Sequence, residues 1–170
     1  DGGAGTDTLT ATVGNESIRP TVKNVEKIQL TATADTLNLD TRSITGATSY
    51  TSESSSGALS INTLDAIPTS GVTINSATDD TTINFLDAAL SGSSDELTIN
   101  VNNVSLANNE FVKVTDQGGT TNKLETVVLN STSLASTLDS VDTSGVDTST
   151  LKITGDEDLT ITDALDVDIT

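Results

Sequence analysis

Leu97-Thr98-Ile99-Asn100-Val101 alternates apolar and polar residues without a break. Successive side chains of a strand point to opposite faces, so this pentapeptide reads as a strand with one dry face and one wet face. The pattern recurs upstream in Ile28-Gln29-Leu30, Leu37-Asn38-Leu39, Leu59-Ser60-Ile61, Val72-Thr73-Ile74 and Ile83-Asn84-Phe85. Downstream it returns in Val112-Lys113-Val114, Leu151-Lys152-Ile153, Leu159-Thr160-Ile161 and Val167-Asp168-Ile169, with Val127-Val128-Leu129 as a continuous apolar variant. The connections between these segments are rich in Gly, Ser, Asp and Asn, which are turn residues. Regular short strands with such turns fit either a sandwich or the rungs of a solenoid. A sandwich core calls for longer strands and bulky residues. This chain has one Tyr, two Phe and neither Trp nor Met. Most of its strands offer only two inward apolar residues. The expected fold is therefore all-β, a parallel β-solenoid (β-helix) of short rungs, with a β-sandwich as the alternative.

Helix is expected to be scarce. Asp87-Ala88-Ala89-Leu90 is read as one turn ended by Gly92, and Ser133–Leu138 as a second short helical candidate. Ser52–Gly57 reads as a loop, and Pro20 and Pro68 as turn or coil-edge residues.

A longer repeat is visible. Val25-Glu26-Lys27-Ile28-Gln29-Leu30 resembles Leu124-Glu125-Thr126-Val127-Val128-Leu129. Leu39-Asp40-Thr41 resembles Val141-Asp142-Thr143, and Gly57-Ala58-Leu59-Ser60-Ile61 resembles Glu157-Asp158-Leu159-Thr160-Ile161. The pairs fall in the same order at a spacing of about one hundred residues, which suggests an internal duplication of about 24–67 and 123–169, as in array proteins.

The charge balance narrows the function. Seven Lys and Arg face twenty-five Asp and Glu, a formal net charge of −18. A nucleic-acid backbone and an anionic membrane surface would both be repelled. Such a surface favours solubility and divalent cations. No apolar run is long enough to span a membrane. His and Cys are absent, which removes disulfides, thiol chemistry and the usual catalytic bases and transition-metal ligands. Paired carboxylates can cleave glycosidic bonds, but aromatic or basic residues to hold sugar are scarce, with no base between Arg42 and Lys113. No enzymatic activity is expected, and a polysaccharide-degrading β-helix is the least favoured reading. Thr-x-Thr at Thr6–Thr8, Thr8–Thr10, Thr10–Thr12 and Thr31–Thr33 does not recur at a constant rung spacing, as an ice-binding ladder would require. The sequons at Asn15, Asn103 and Asn130 are of the kind that this composition produces by accident.

One motif carries specific chemistry. Gly2-Gly3-Ala4-Gly5-Thr6-Asp7-Thr8-Leu9-Thr10 fits G-G-x-G-x-D-x-U-x, where U is a large apolar residue. Glycines admit positive φ and bare the backbone, so the carbonyls of Gly3 and Gly5 can face an ion. Asp7 supplies a hard anionic oxygen suited to Ca2+, with Asp1 belonging to a preceding shell. Leu9 starts a strand and points inward. Secondary calcium candidates are Asp79 and Asp80, Asp95 beside Glu96, and Asp156 and Asp158 around Glu157, where a cation would relieve adjacent acids. Asp163, Asp166 and Asp168 read as the polar face of a strand. The chain opens inside the motif. It reads as the end of a nonapeptide tract over residues 1–13, followed by a solenoid structural domain over 14–170.

The passage from this nonapeptide into Thr-rich, aromatic-poor strands, as in Thr8-Leu9-Thr10-Ala11-Thr12-Val13 and Asn24–Leu30, resembles the bacterial surface-layer (S-layer) proteins of RTX type, which are secreted by type I machinery. The resemblance implies calcium-dependent folding and an extracellular location on the bacterial surface. It also implies assembly of identical copies into a two-dimensional lattice, with lipopolysaccharide or another surface glycan held through other parts of the protein. A spacer or ligand-binding module of a large RTX adhesin is the alternative function.

Overall fold

A computed structural model describes residues 1–107, 110–118, 122–163 and 165–166. The chain winds as a parallel β-solenoid, and each turn of the coil contributes one strand to each of two long sheets. The first turn holds β1 (Thr8–Val13), β2 (Ser17–Ile18) and β3 (Val22–Lys23); the second holds β4 (Lys27–Ala32), β5 (Thr36–Asp40) and β6 (Ile44–Thr45). The third and fourth use β7 (Ser49–Glu53) with β8 (Ala58–Leu64), then β9 (Val72–Asn75) with β10 (Thr81–Leu86). The fifth has β11 (Glu96–Asn102) and β12 (Phe111–Gln117). The sixth has β13 (Thr126–Ser131), β14 (Ser136–Leu138) and β15 (Ser140–Gly145), and the seventh β16 (Thr150–Gly155), β17 (Leu159–Ile161) and β18 (Leu165–Asp166).

Every pairing is parallel. The first sheet runs β1-β4-β7-β9-β11-β13-β16 and the second β2-β5-β8-β10-β12-β15-β18, each seven strands deep. Two short extra pairs lie on opposite edges of the coil: β3 with β6 where the second sheet returns to the first, and β14 with β17 where the first crosses to the second. At the strand spacing of about 4.8 Å the stack is roughly 30 Å tall. The sandwich alternative is excluded by the parallel order.

The alternation explains the core. In the first sheet Leu9, Ile28, Tyr50, Val72, Ile99, Leu129 and Ile153 lie in register one above the next. In the second, Leu39, Ile61, Ile83 and Val114 do the same. Most of these side chains are buried, and Phe85 is the largest fully buried one. The columns of the two sheets meet in a single apolar cluster. Between them the polar residues stack outward. Asn102 Nδ2 donates to Asn75 Oδ1 at 2.8 Å, Asn75 donates to Glu53, and Asn130 Nδ2 donates to Asn100 Oδ1 at 2.8 Å.

The corners explain the turn residues. Where the first sheet gives way to the second, Ser54, Ser76, Asn103 and Ser133 hold φ of 50°, 53°, 53° and 67°. A short polar side chain tolerates this left-handed bend at modest cost, which accounts for Ser or Asn at these four crossings, while Asp35 and Gly155 take the bend at two others. Ser133 thus starts a corner rather than a helix: Ser133–Leu138 forms a bend and then β14, paired with β17. Asp87–Leu90 does form one 3-10 turn. Glu53 still belongs to β7, so the expected loop shrinks to Ser54–Gly57.

The solenoid begins at Thr8, inside the stretch expected to close the nonapeptide tract. The strand pairs matched at a spacing of about one hundred residues lie four turns apart in the first case, β4 and β13, both in the first sheet. β5 and β15, carrying the second match, share the second sheet. The third match joins β8 of the second sheet to β17, which pairs with β14 on the crossing between the sheets. Val167-Asp168-Ile169 lies outside the described residues.

Candidate metal centre

The nonapeptide forms the corner that leads into β1. Gly3 and Gly5 have φ of 88° and 124° and stand in open space, as an ion-facing turn requires. Gly2 is the glycine that packing demands: a Cβ there would lie 2.1 Å from Asn24 O and 2.8 Å from Asp7 Oδ2. Its N–H donates to Lys23 O at 3.0 Å. Asp1 closes the turn by accepting from Gly3 N–H at 3.0 Å and from Asn24 Nδ2 at 3.1 Å.

Asp7 is tied to the next turn of the coil at both backbone groups. Its N–H donates to Glu26 Oε2 at 2.8 Å, and its carbonyl accepts from Lys27 N–H at 3.1 Å. Two carboxylates are thereby held on neighbouring rungs. Asp7 Oδ2 is shielded from solvent and takes no hydrogen bond. An anionic oxygen in that condition is an acceptor awaiting a donor or a cation.

The same corner recurs in the fifth and sixth turns. Asp95 N–H donates to Glu125 Oε2 at 2.7 Å, and Asp95 O accepts from Thr126 N–H at 3.0 Å. Glu26 O in turn accepts from Thr48 N–H and Glu125 O from Thr150 N–H, so each pair continues its own ladder into the following turn. The Asp95 carboxylate also accepts from Gly92 N–H at 2.9 Å. Glu96 is diverted to an ion pair with Lys152 at 2.8 Å.

The remaining candidates lie elsewhere. Asp80 Oδ1 accepts from Phe111 N–H and Asp79 Oδ1 from Asp80 N–H, both at 2.7 Å. Burial, opposed by that Phe111 bond and reinforced by Asp79 and Glu110, raises the Asp80 carboxyl above its ordinary range. Asp156 and Asp158 occupy an exposed corner of the last turn. The structure thus distributes the sequence candidates over four places rather than gathering them. Among the described residues no three acidic groups converge as one metal shell. A complete calcium shell takes six to eight oxygens. Asp7 and Glu26, joined by the Asp7 N–H bond, supply the carboxylates of at most part of one.

Glu26 and Glu125 were not singled out as ligand candidates from the sequence. The available signal is the pairing of Asp-x-Leu-Thr before β1 and β11 with Glu-x-Ile or Glu-x-Val one turn later. No helix among the described residues is long and apolar enough to cross a membrane. No protein-family model, curated protein or solved structure matches this chain.

Proposed function

We propose that this chain is a structural segment of a secreted, self-assembling bacterial surface-layer protein, stabilised and cross-linked by Ca2+. The observation that carries the reading is the recurring Asp–Glu corner, Asp7 with Glu26 and Asp95 with Glu125, on a stack whose net charge is −18. A straight parallel stack supplies a stiff body through its backbone ladders and Leu/Ile/Val core. Cations at the acidic corners reduce the repulsion between rungs and between like-charged copies. The residues that would hold Ca2+ at the first corner are Asp7 and Glu26, with the carbonyls of Gly3 and Gly5. Bound there, the ion supplies charge neutralisation and a link between successive turns. The role is structural rather than catalytic, in keeping with a sequence that has neither His nor Cys.

The stiff stack with polar outer faces serves an adhesin spacer equally well, and array formation separates the two. Electron microscopy of the native cell surface should show an ordered two-dimensional array that dissolves in EGTA and re-forms on adding calcium. An abundant protein that binds a ligand but never orders on the surface would instead support the adhesin reading.

A further inference from the structure

Both arginines of the chain, Arg19 and Arg42, open onto one cleft of about 520 Å3 beside the second sheet. Asn38, Asp40, Asn62 and Gln117 also line it. Arg42 grips the Asp40 carboxylate through Nε at 3.0 Å and through Nη2, and Thr63 Oγ1 donates to the same group at 2.8 Å. Arg19 Nε donates to Ser43 Oγ at 3.1 Å and lies 3.8 Å from Asp40. Each guanidinium has five N–H donors in a rigid fork, so these partners use only a minority. The side chains of Arg19 and Arg42 remain 52% and 53% exposed. Two guanidiniums against one carboxylate leave the cleft positive on a chain of net charge −18.

The complementary feature lies at the other end of the stack. Asp156, Glu157 and Asp158 follow Gly155 on an exposed corner of the seventh turn. The corner is fixed by its backbone, with Asp156 and Glu157 N–H both donating to Ser131 O at 3.1 and 3.4 Å. Among the described residues their carboxylates have no hydrogen-bond or ion-pair partner. Arg19 and Arg42 stand on the first and second turns and the corner on the seventh, so one molecule cannot join its own pair.

We propose that the Arg19–Arg42 cleft receives the Asp156–Asp158 corner of a second copy of this chain. The contact rests on the self-assembly reading above and gives it a partner surface. It is heterologous, so each copy offers one cleft and one corner and the chain of contacts does not close on itself. Long-range repulsion between the copies is screened beyond about 8 Å at physiological ionic strength. Guanidinium–carboxylate bonds at contact survive that screening. Association therefore passes through a maximum in salt, with repulsion limiting it at about 10 mM and loss of the ion pairs limiting it at about 1 M.

Sedimentation velocity on the 1–170 chain tests this, in calcium and in EGTA, with circular dichroism to verify folding. Arg19→Gln/Arg42→Gln should lower the association constant about tenfold or more in both buffers. Asp156→Asn/Glu157→Gln/Asp158→Asn, confined to an exposed corner, should do the same. Mixing Arg19→Glu/Arg42→Glu chains with Asp156→Lys/Asp158→Lys chains should restore association that neither shows alone. Variants that associate like wild type, or a wild-type chain that is monomeric in every buffer, would overturn the proposal. Association abolished by EGTA but untouched by the variants removes this contact and leaves the calcium reading standing. Association lost in the variants but indifferent to EGTA does the reverse.

Discussion

Gly71 has no room for a side chain. Its φ is 75°, and a Cβ would stand 2.3 Å from the carbonyl oxygen of Thr98 on the next turn. A positive φ alone costs a non-glycine residue roughly 1–3 kcal/mol, and here the clash with backbone adds to it. Gly71→Ala should therefore lower the melting temperature by about 4–8 °C, following the scale of 2–4 °C per kcal/mol for a chain of this size. At Asp80 the balance is electrostatic. Its folded pKa lies above the ordinary 3.8, chiefly because burial disfavours the charged form. The folded chain then holds this proton more tightly than the unfolded chain, so Asp80 detracts from stability as pH rises past 3.8. Asp80→Asn keeps the acceptor for Phe111 N–H and removes the charge. It should raise the melting temperature at pH 7, a gain that disappears in scans below pH 3.8. Asp40 and Asp142 behave oppositely. Bonds from Arg42 hold Asp40 well below the usual carboxylate range, and for Asp142 the bonds from Lys113 and Ser144 outweigh burial. Their contributions are present above 3.8 and are lost as pH falls.

Strands here are stabilised by their place in the stack more than by their own length. β10 places Phe85 in the core with no exposed surface, between β8 and β12. Phe85→Ala should cost about 3–5 kcal/mol through lost burial and the cavity left behind. Thr98→Ala, on the outward face of β11, should stay within about 0.5 kcal/mol. Urea denaturation of the two variants checks the contrast. The same dependence decides what could be read from sequence. Leu97–Val101 and its counterparts were legible because two inward apolar residues per strand suffice to reveal period two. β3 and β6 were not, since two residues carry no period. Ser133–Leu138 suggested helix because the partner that makes it a strand, β17, arrives only with the next turn. The site follows this rule. Asp7 was legible from a local motif, whereas Glu26 joins it through a turn of nineteen residues and Glu125 joins Asp95 through one of thirty. Unequal turn lengths hide such vertical partners from any fixed spacing. Gly2 belongs to the motif, but its necessity comes from Asn24 and Asp7 packed against it.

At the scale of the whole molecule, seven stacked turns make a stiff body whose surface carries eighteen more negative than positive charges. Self-repulsion works against both the stack and its association. On the calcium reading proposed above, a divalent cation at the Asp7–Glu26 and Asp95–Glu125 corners would relieve it most directly. An ion that binds only the folded chain stabilises it by about 2.7 kcal/mol at one hundred times its dissociation constant. For a chain of this length that raises the melting point by roughly 5–10 °C. Asp7→Asn/Glu26→Gln should remove part of that gain while leaving the melting point in EGTA equal to or above wild type, because the variant also lacks the repulsion. The most direct test is a calcium titration of the intact chain followed simultaneously by thermal melting and light scattering. Melting temperature and assembly should rise together with calcium and fall together on chelation. Melting and scattering curves that coincide in calcium and in EGTA would contradict it.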